Sequence, residues 1–246
     1  MKFAAIADIH GNHLALEAVL ADIRAEGIEE IVNLGDFFSG PLDAGRTAEL
    51  LMTLGLTSVC GNHDRYLIEQ DPAAMHASDA SAYRQLTPAH LDWIRSLPFD
   101  TVYRGEAYLC HATPKDDNLY WLESVSPEGF VFLKPIEAIE ALAEGIDLPL
   151  ILCGHSHLPR AVRLSDGRLI VNPGSVGCPA YDDVLPYYHT VEAGHPLASY
   201  AILEKTAAGW IWQFRTVAYD HMAMSVLATE SGRADWASAL AAGWVR

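Results

Sequence analysis

Asp8, His10, Asp36, Asn62, His63, His111, His155 and His157 are the residues of this chain whose types and positions can do chemistry together. Each group follows a short apolar run: residues 3–7 before Asp8, 30–34 before Gly35-Asp36, 57–60 before Gly61-Asn62-His63-Asp64, 107–110 before His111, and 148–153 before Gly154-His155-Ser156-His157. Two carboxylates, an amide oxygen and several imidazoles make a hard-to-borderline donor set that suits a divalent metal and requires no thiolate. Taken singly, each has a plainer reading. Asp36 reads as a helix cap or turn residue, Asn62 as a residue that tolerates unusual backbone angles after Gly61, and His111 as a buried, hydrogen-bonded histidine. In open α/β sheets, however, the carboxyl ends of strands converge on one crevice, so these groups can meet. Gly11, Gly35, Gly61 and Gly154 sit beside them and allow sharp turns.

With those blocks in this order, the chain closely resembles the calcineurin-like metallophosphoesterases, and most of all their compact bacterial and archaeal phosphodiesterase-like branch. The resemblance runs from residue 3 to about residue 175 and rests on Asp8-Ile9-His10-Gly11-Asn12, Gly35-Asp36, Gly61-Asn62-His63-Asp64, His111 and Gly154-His155-Ser156-His157. It implies an α/β sandwich with central β-sheets flanked by α-helices. It assigns Asp8, His10 and His157 to one metal, Asn62, His111 and His155 to a second, and Asp36 to both. His63 becomes the imidazole facing the substrate, with Asp64 as its orienting partner, and Asn12 a candidate amide donor to phosphate. His63 also has a structural alternative, as a loop histidine supporting Asn62, and Asn12 one as a turn stabiliser.

The activity so implied is hydrolysis of a small phosphodiester by a hydroxide bridging two divalent ions. Such a pair, about 3.5–4 Å apart, offsets phosphate charge and acidifies water. Manganese or iron is favoured, with zinc, nickel or cobalt as alternatives. An alkoxide leaving group needs a proton, and an imidazole titrating near neutrality can give it. Phosphomonoester or dinucleoside polyphosphate hydrolysis would use the same centre, and a non-catalytic protein-interaction scaffold of this fold is the competing class. The complete ligand set weighs against that scaffold.

The elements that must position these residues can be read from periodicity. Residues 3–7, a helix over 13–26, a strand over 30–34, a helix over 43–54 and a strand over 57–60 form a βαβαβ start, which predicts a largely parallel sheet. Residues 72–97 read as mostly helical, with Pro88 in a first turn. Hairpins are expected at 101–110 and at 160–172, and a helix from Pro135 to Leu142. Residues 112–134 lose the pattern but gather Tyr120, Trp121, Phe130 and Phe132, either as a core-covering excursion or as a substrate lid that stacks a base. Residues 198–205 and 210–217 form a strand pair, followed by a helical tail in which Trp236 and Trp244 cover the core or form a dimer contact. With no linker or repeat, the expectation is one domain over residues 1–246, with the oligomeric state open. The Asn172-Pro173-Gly174-Ser175 block reads as structural support.

Charge narrows the substrate. The 246 residues carry 32 acidic side chains against 16 Lys plus Arg, a formal charge of -16. That disfavours an extended nucleic-acid partner, which would want a basic face. Lys115, Arg65 and Arg160 lie near site motifs and are candidates for an outer phosphate, or ordinary surface charges. Asp116-Asp117 and Asp182-Asp183 near the expected mouth again favour a small phosphoester. No long apolar run predicts a membrane span, and the start of the chain shows no leader pattern, so the expected address is cytoplasmic. Cys60, Cys110, Cys153 and Cys178 form no CxxC pair and read as small buried hydrophobes.

Overall fold

A computed structural model describes residues 1–246. The first half comprises β1 (Lys2–Ile6), α1 (His13–Ala25), β2 (Ile31–Asn33), α2 (Ala44–Leu54), β3 (Thr57–Ser58), α3 (Asn62–Glu69), α4 (Ala77–Tyr83), α5 (Pro88–Arg95), β4 (Asp100–Tyr103) and β5 (Ala107–Cys110). There follow β6 (Glu123–Val125), β7 (Val131–Leu133), α6 (Ile136–Leu142), β8 (Leu150–Leu152), β9 (Arg160–Arg163), β10 (Leu169–Asn172), β11 (Ala180–Asp183) and β12 (His189–Glu192). The chain ends with β13 (Ala198–Thr206), β14 (Gly209–Val217), α7 (His221–Glu230) and α8 (Ala234–Ala242).

Two five-stranded sheets, ordered β14-β13-β1-β2-β3 and β4-β5-β8-β10-β9, pack face to face. The largely parallel sheet expected from the βαβαβ start is therefore one part of the arrangement. β1, β2 and β3 are parallel, but β13 joins β1 antiparallel and extends that sheet on its other side. Alternation explains the layering, because successive strand residues point to opposite faces. Phe3 and Ala5 of β1 enter the core between the sheets with Leu150, Leu152, Leu169 and Val171, whereas Ala4 and Ile6 face the helices. Outside the first sheet, α1 packs Leu16, Val19, Leu20 and Ile23 against Ile6 and Tyr200. Outside the second, Ile139 of α6 packs with Trp121, Ile151 and Ile170. The result is the α/β sandwich flanked by helices that the sequence implied.

Local chemistry sets the helix ends. The Asn12 side chain accepts from Ala15 N to start α1, and that of Asp43 from Arg46 N to start α2, which Gly55 closes in a left-handed conformation. Pro88 occupies the first turn of α5 behind Thr87. Residues 112–134 hold a small hairpin, β6 with β7, a pairing the sequence pattern did not resolve. Tyr120 and Trp121 are buried there, while Phe130 and Phe132 are 71% and 47% exposed. The four cysteines are free. No helix is long and apolar enough to cross a membrane.

Candidate metal centre and its cleft

The parallel strands β1 and β2 of one sheet, and β5 and β8 of the other, end on the same side of the sandwich. Their following turns carry the donors. Asp8, His10, Asp36, His155 and His157 all have positive φ, between 52° and 69°, and only one other non-glycine residue, Arg104, does so. Non-glycine side chains pay a steric cost in that region, and such strain collects where geometry serves function. Neighbouring glycines make the approach possible: a Cβ on Gly61 would run into Asp36 Oδ1.

Two groups of donors result. The ligand atoms of Asp8, His10 and His157 lie within 4.8 Å of one another, as do those of Asp36, His111 and His155. Asp36 links them, with its Oδ2 3.8 Å from His10 Nε2 and 3.4 Å from His111 Nε2. Asn62 adds its Oδ1, 3.0 Å from His111 Nε2. All seven expected metal ligands are thus brought together.

The hydrogen bonds around them test whether a metal fits. His10 Nδ1 donates to the Ser39 carbonyl at 2.7 Å and His157 Nδ1 to the Cys178 carbonyl at 2.8 Å. Those bonds fix the tautomers, so both Nε2 atoms present lone pairs to each other at 3.1 Å. Burial pushes His10 down to about 4 and His157 well below its ordinary value, so neither imidazole brings a proton to separate them at neutral pH. Facing lone pairs beside Asp8 Oδ1, 3.6 Å from His157 Nε2, call for a cation. In the second group the metal-free protein holds a proton where an ion would bind. His111 Nδ1 donates to the Leu34 carbonyl at 2.7 Å, which turns its Nε2 towards Asn62 Oδ1 and Asp36. Burial opposes charge on His111, but Asp36 and Asp8 overcome it and hold the imidazole up at about 10. The residues present fit two divalent ions.

Two expectations are corrected. Asp64 does not orient His63. It is fully buried, and its carboxylate accepts backbone N–H from Asp36 at 2.7 Å, Phe37 at 3.0 Å and Gly61 at 2.9 Å, pinning the Asp36 turn to α3. The partner of His63 is Asp79 of α4, whose Oδ1 accepts from Nδ1 at 2.8 Å. Nor is Asn12 free to bind phosphate. Besides capping α1, it donates to the Gly177 carbonyl and to the Tyr219 hydroxyl, both at 3.0 Å. His63 itself lines the cleft with 30% of its side chain exposed, and its backbone N–H donates to Asp36 Oδ1 at 3.1 Å. Asn172 plays the structural part expected, donating to the Gly154 carbonyl at 2.7 Å and to Ser156 Oγ at 3.1 Å.

The centre lies in a cleft of about 1390 Å³. Three aromatic residues surround it: Tyr120 and Trp236, which the sequence offered as core cover, lid or dimer contact, and Tyr181, which it did not single out. Trp236 of α8 places its ring 5.9 Å from that of His10. Tyr120 packs on His155 at 5.1 Å and Tyr181 on His157 at 4.6 Å, with the two hydroxyls 2.6 Å apart. His189 Nδ1 donates to the Tyr187 carbonyl, so its Nε2 accepts from Tyr120, and Tyr181 must donate to Tyr120. None of Lys115, Arg65 and Arg160 lines the cleft. Arg65 is forked onto Asp117, and Arg160 is paired with Glu123.

Comparison with known proteins agrees with the fold. Residues 1–194 match the calcineurin-like phosphoesterase superfamily domain, and the chain belongs to that superfamily. An uncharacterized protein of Methanocaldococcus jannaschii is 30% identical over 198 residues, covering 72% of this chain and 76% of its own. Among solved structures, a metallophosphoesterase from Sphaerobacter thermophilus is 28% identical with a TM-score of 0.75, over 99% of each chain. A hypothetical protein of Pyrococcus horikoshii shares the fold at 19% identity and a TM-score of 0.77, over 100% of this chain and 99% of its own.

Proposed function

We propose that the protein is a two-metal phosphoesterase that hydrolyses a small phosphodiester. The observation that carries this reading is the pair of deprotonated Nε2 lone pairs of His10 and His157 facing each other at 3.1 Å beside Asp8 and Asp36. Asp8, His10 and His157 would hold one ion and Asn62, His111 and His155 the other, with Asp36 shared. Manganese or iron are the preferred ions, since imidazole, amide and carboxylate donors suit both. When bound, such ions supply Lewis-acid stabilisation of phosphate charge and water acidic enough to attack.

The chain's own residues supply the rest. The Nδ1 bonds of His10, His111 and His157 to backbone carbonyls fix the ring planes, so the donors need little reorganisation. His63 extends into the cleft from the first turn of α3, with Nδ1 committed to Asp79 and Nε2 free to carry a proton. In the reaction, a water oxygen bonds to phosphorus, its proton passes to solvent, and the ester P–O bond breaks. His63 Nε2 gives its proton to the departing alkoxide and regains one from solvent. The diester is preferred over the monoester because an alkoxide leaving group makes such a donor worth having. A small diffusible substrate is preferred over a nucleic acid because the chain has formal charge -16.

The test is a metal-by-substrate activity matrix with the purified chain, comparing aryl and alkyl phosphodiesters, monoesters and dinucleoside polyphosphates. Metal-dependent turnover of diesters supports the reading. A folded protein that binds no metal and turns over none of these substrates sinks it in favour of a binding scaffold.

A further inference from the structure

The cleft beyond the histidines is poor in available positive charge. Lys134 and Arg233 are the only lysine and arginine that line it, and both are engaged within the protein. Arg233 is forked onto Asp235 and also donates to Ser78 at 2.9 Å. Lys134 is folded back onto the Tyr120 carbonyl, with Glu123 nearby. Asp116, Asp182 and Asp183 line the same space. A phosphate outside the metal centre would meet three carboxylates and no free cation.

Apolar side chains face this space instead. Leu119 precedes Tyr120, and Val184 and Leu185 follow β11, so both loops start from the tyrosines that pack on His155 and His157. These three residues line the cleft with 42%, 68% and 71% of their surface exposed, so they bring apolar surface to one side of it. Asp183 holds the Val184–Leu185 turn in place by accepting both backbone N–H groups, at 2.6 and 3.0 Å.

We propose that the substrate is a phosphodiester with a single phosphate and an uncharged apolar arm that lies against Leu119, Val184 and Leu185. This rests on the phosphodiester reading above and adds the identity of the arm. The ester's one negative charge is met at the metal centre, and the arm covers side chains that water otherwise contacts. Nucleoside polyphosphates are disfavoured, because their outer phosphates would lie among Asp116, Asp182 and Asp183.

The experiment uses the metal-loaded full chain and p-nitrophenyl alkyl phosphates with methyl, butyl and octyl arms, so that the leaving group is constant, together with diadenosine tetraphosphate. The expected result is a KM that falls about two- to threefold per added methylene over the first few carbons, with kcat within twofold. The tetraphosphate should show a kcat/KM at least about tenfold below that of the butyl ester. Leu185→Ser should flatten the chain-length dependence of KM, raising it most for the octyl ester, and Asp182→Lys should raise kcat/KM for the tetraphosphate relative to the butyl ester. A KM independent of arm length, or a preference for the tetraphosphate, overturns the apolar-arm inference while leaving a phosphoesterase in place. Failure to hydrolyse even the methyl ester overturns both.

Discussion

His63 Nδ1 lies 2.8 Å from Asp79 Oδ1, joining the first turn of α3 to the first turn of α4 across 16 residues. A carboxylate only accepts, so the bond fixes Nδ1 as the donor and leaves Nε2 to face the cleft. Asp79→Asn should therefore weaken catalysis through His63 without changing metal content. We expect kcat to fall by about 10- to 100-fold for alkyl leaving groups and much less for nitrophenolate, which departs without a proton. Equal losses across leaving groups would mean that the pair only supports the fold.

The same pair has a pH signature. In the metal-free protein, burial disfavours the charged imidazole, but Asp36 and then Asp79 raise His63 from 6.5 to about 9. Because the folded value lies above the unfolded one, the stability this adds is complete below about pH 6.5 and is lost as pH rises through about 9. NMR titration of the His63 ring should find it protonated at neutral pH, with Asp79→Asn moving the midpoint down. A midpoint unmoved by that substitution would contradict the assignment.

Asp64 should behave differently from Asp79. Its carboxylate satisfies three buried backbone N–H groups, so Asp64→Ala leaves them without partners and should destabilise the protein by about 3 kcal/mol or more. Denaturant unfolding measures this. Any activity that survives should keep the wild-type leaving-group dependence.

Trp236 offers a third contrast. Its ring meets that of His10 edge to face from a helix more than 220 residues along the chain, and the Arg233 guanidinium lies 5.9 Å from the Trp236 ring centre. Trp236→Ala should raise KM for the phosphodiester several-fold and also lower the melting temperature, because the ring packs against Leu42, Met224, Ala228 and Leu240, as measured by steady-state kinetics beside thermal unfolding. A lower melting temperature with unchanged KM would leave Trp236 a core-covering role alone.

What the sequence made legible was local. Asp8, Asp36, His111 and His155 each sit in the turn directly after a strand, so one short block states both the residue and its placement. Asp79, Tyr181 and Trp236 reach the site through long-range packing and carry no neighbouring motif, while the aromatic cluster around Tyr120 marked the segment without placing that ring on His155. Asp79 lies within a short helix rich in alanine and serine, where an aspartate reads as surface charge. The adjacency of Asp64 to His63 suggested a dyad, but neighbouring helical residues point in different directions, and Asp64 turns inward to the backbone. The two-sheet arrangement was equally hidden from periodicity, since buried runs such as residues 150–152 fit the inside of either sheet. Only the family resemblance supplied the sandwich.

The central claim is that Asp36 joins two metal sites that together hydrolyse a phosphodiester. Its most direct test is metal content per chain, measured on the same samples as turnover of an aryl phosphodiester, for the wild type and Asp36→Asn after loading with manganese. We predict about two ions and turnover in the wild type, with fewer ions and turnover reduced by at least about a thousandfold in a variant that remains folded. Wild-type turnover that persists after complete metal removal, or an Asp36→Asn protein with undiminished activity, would contradict the account.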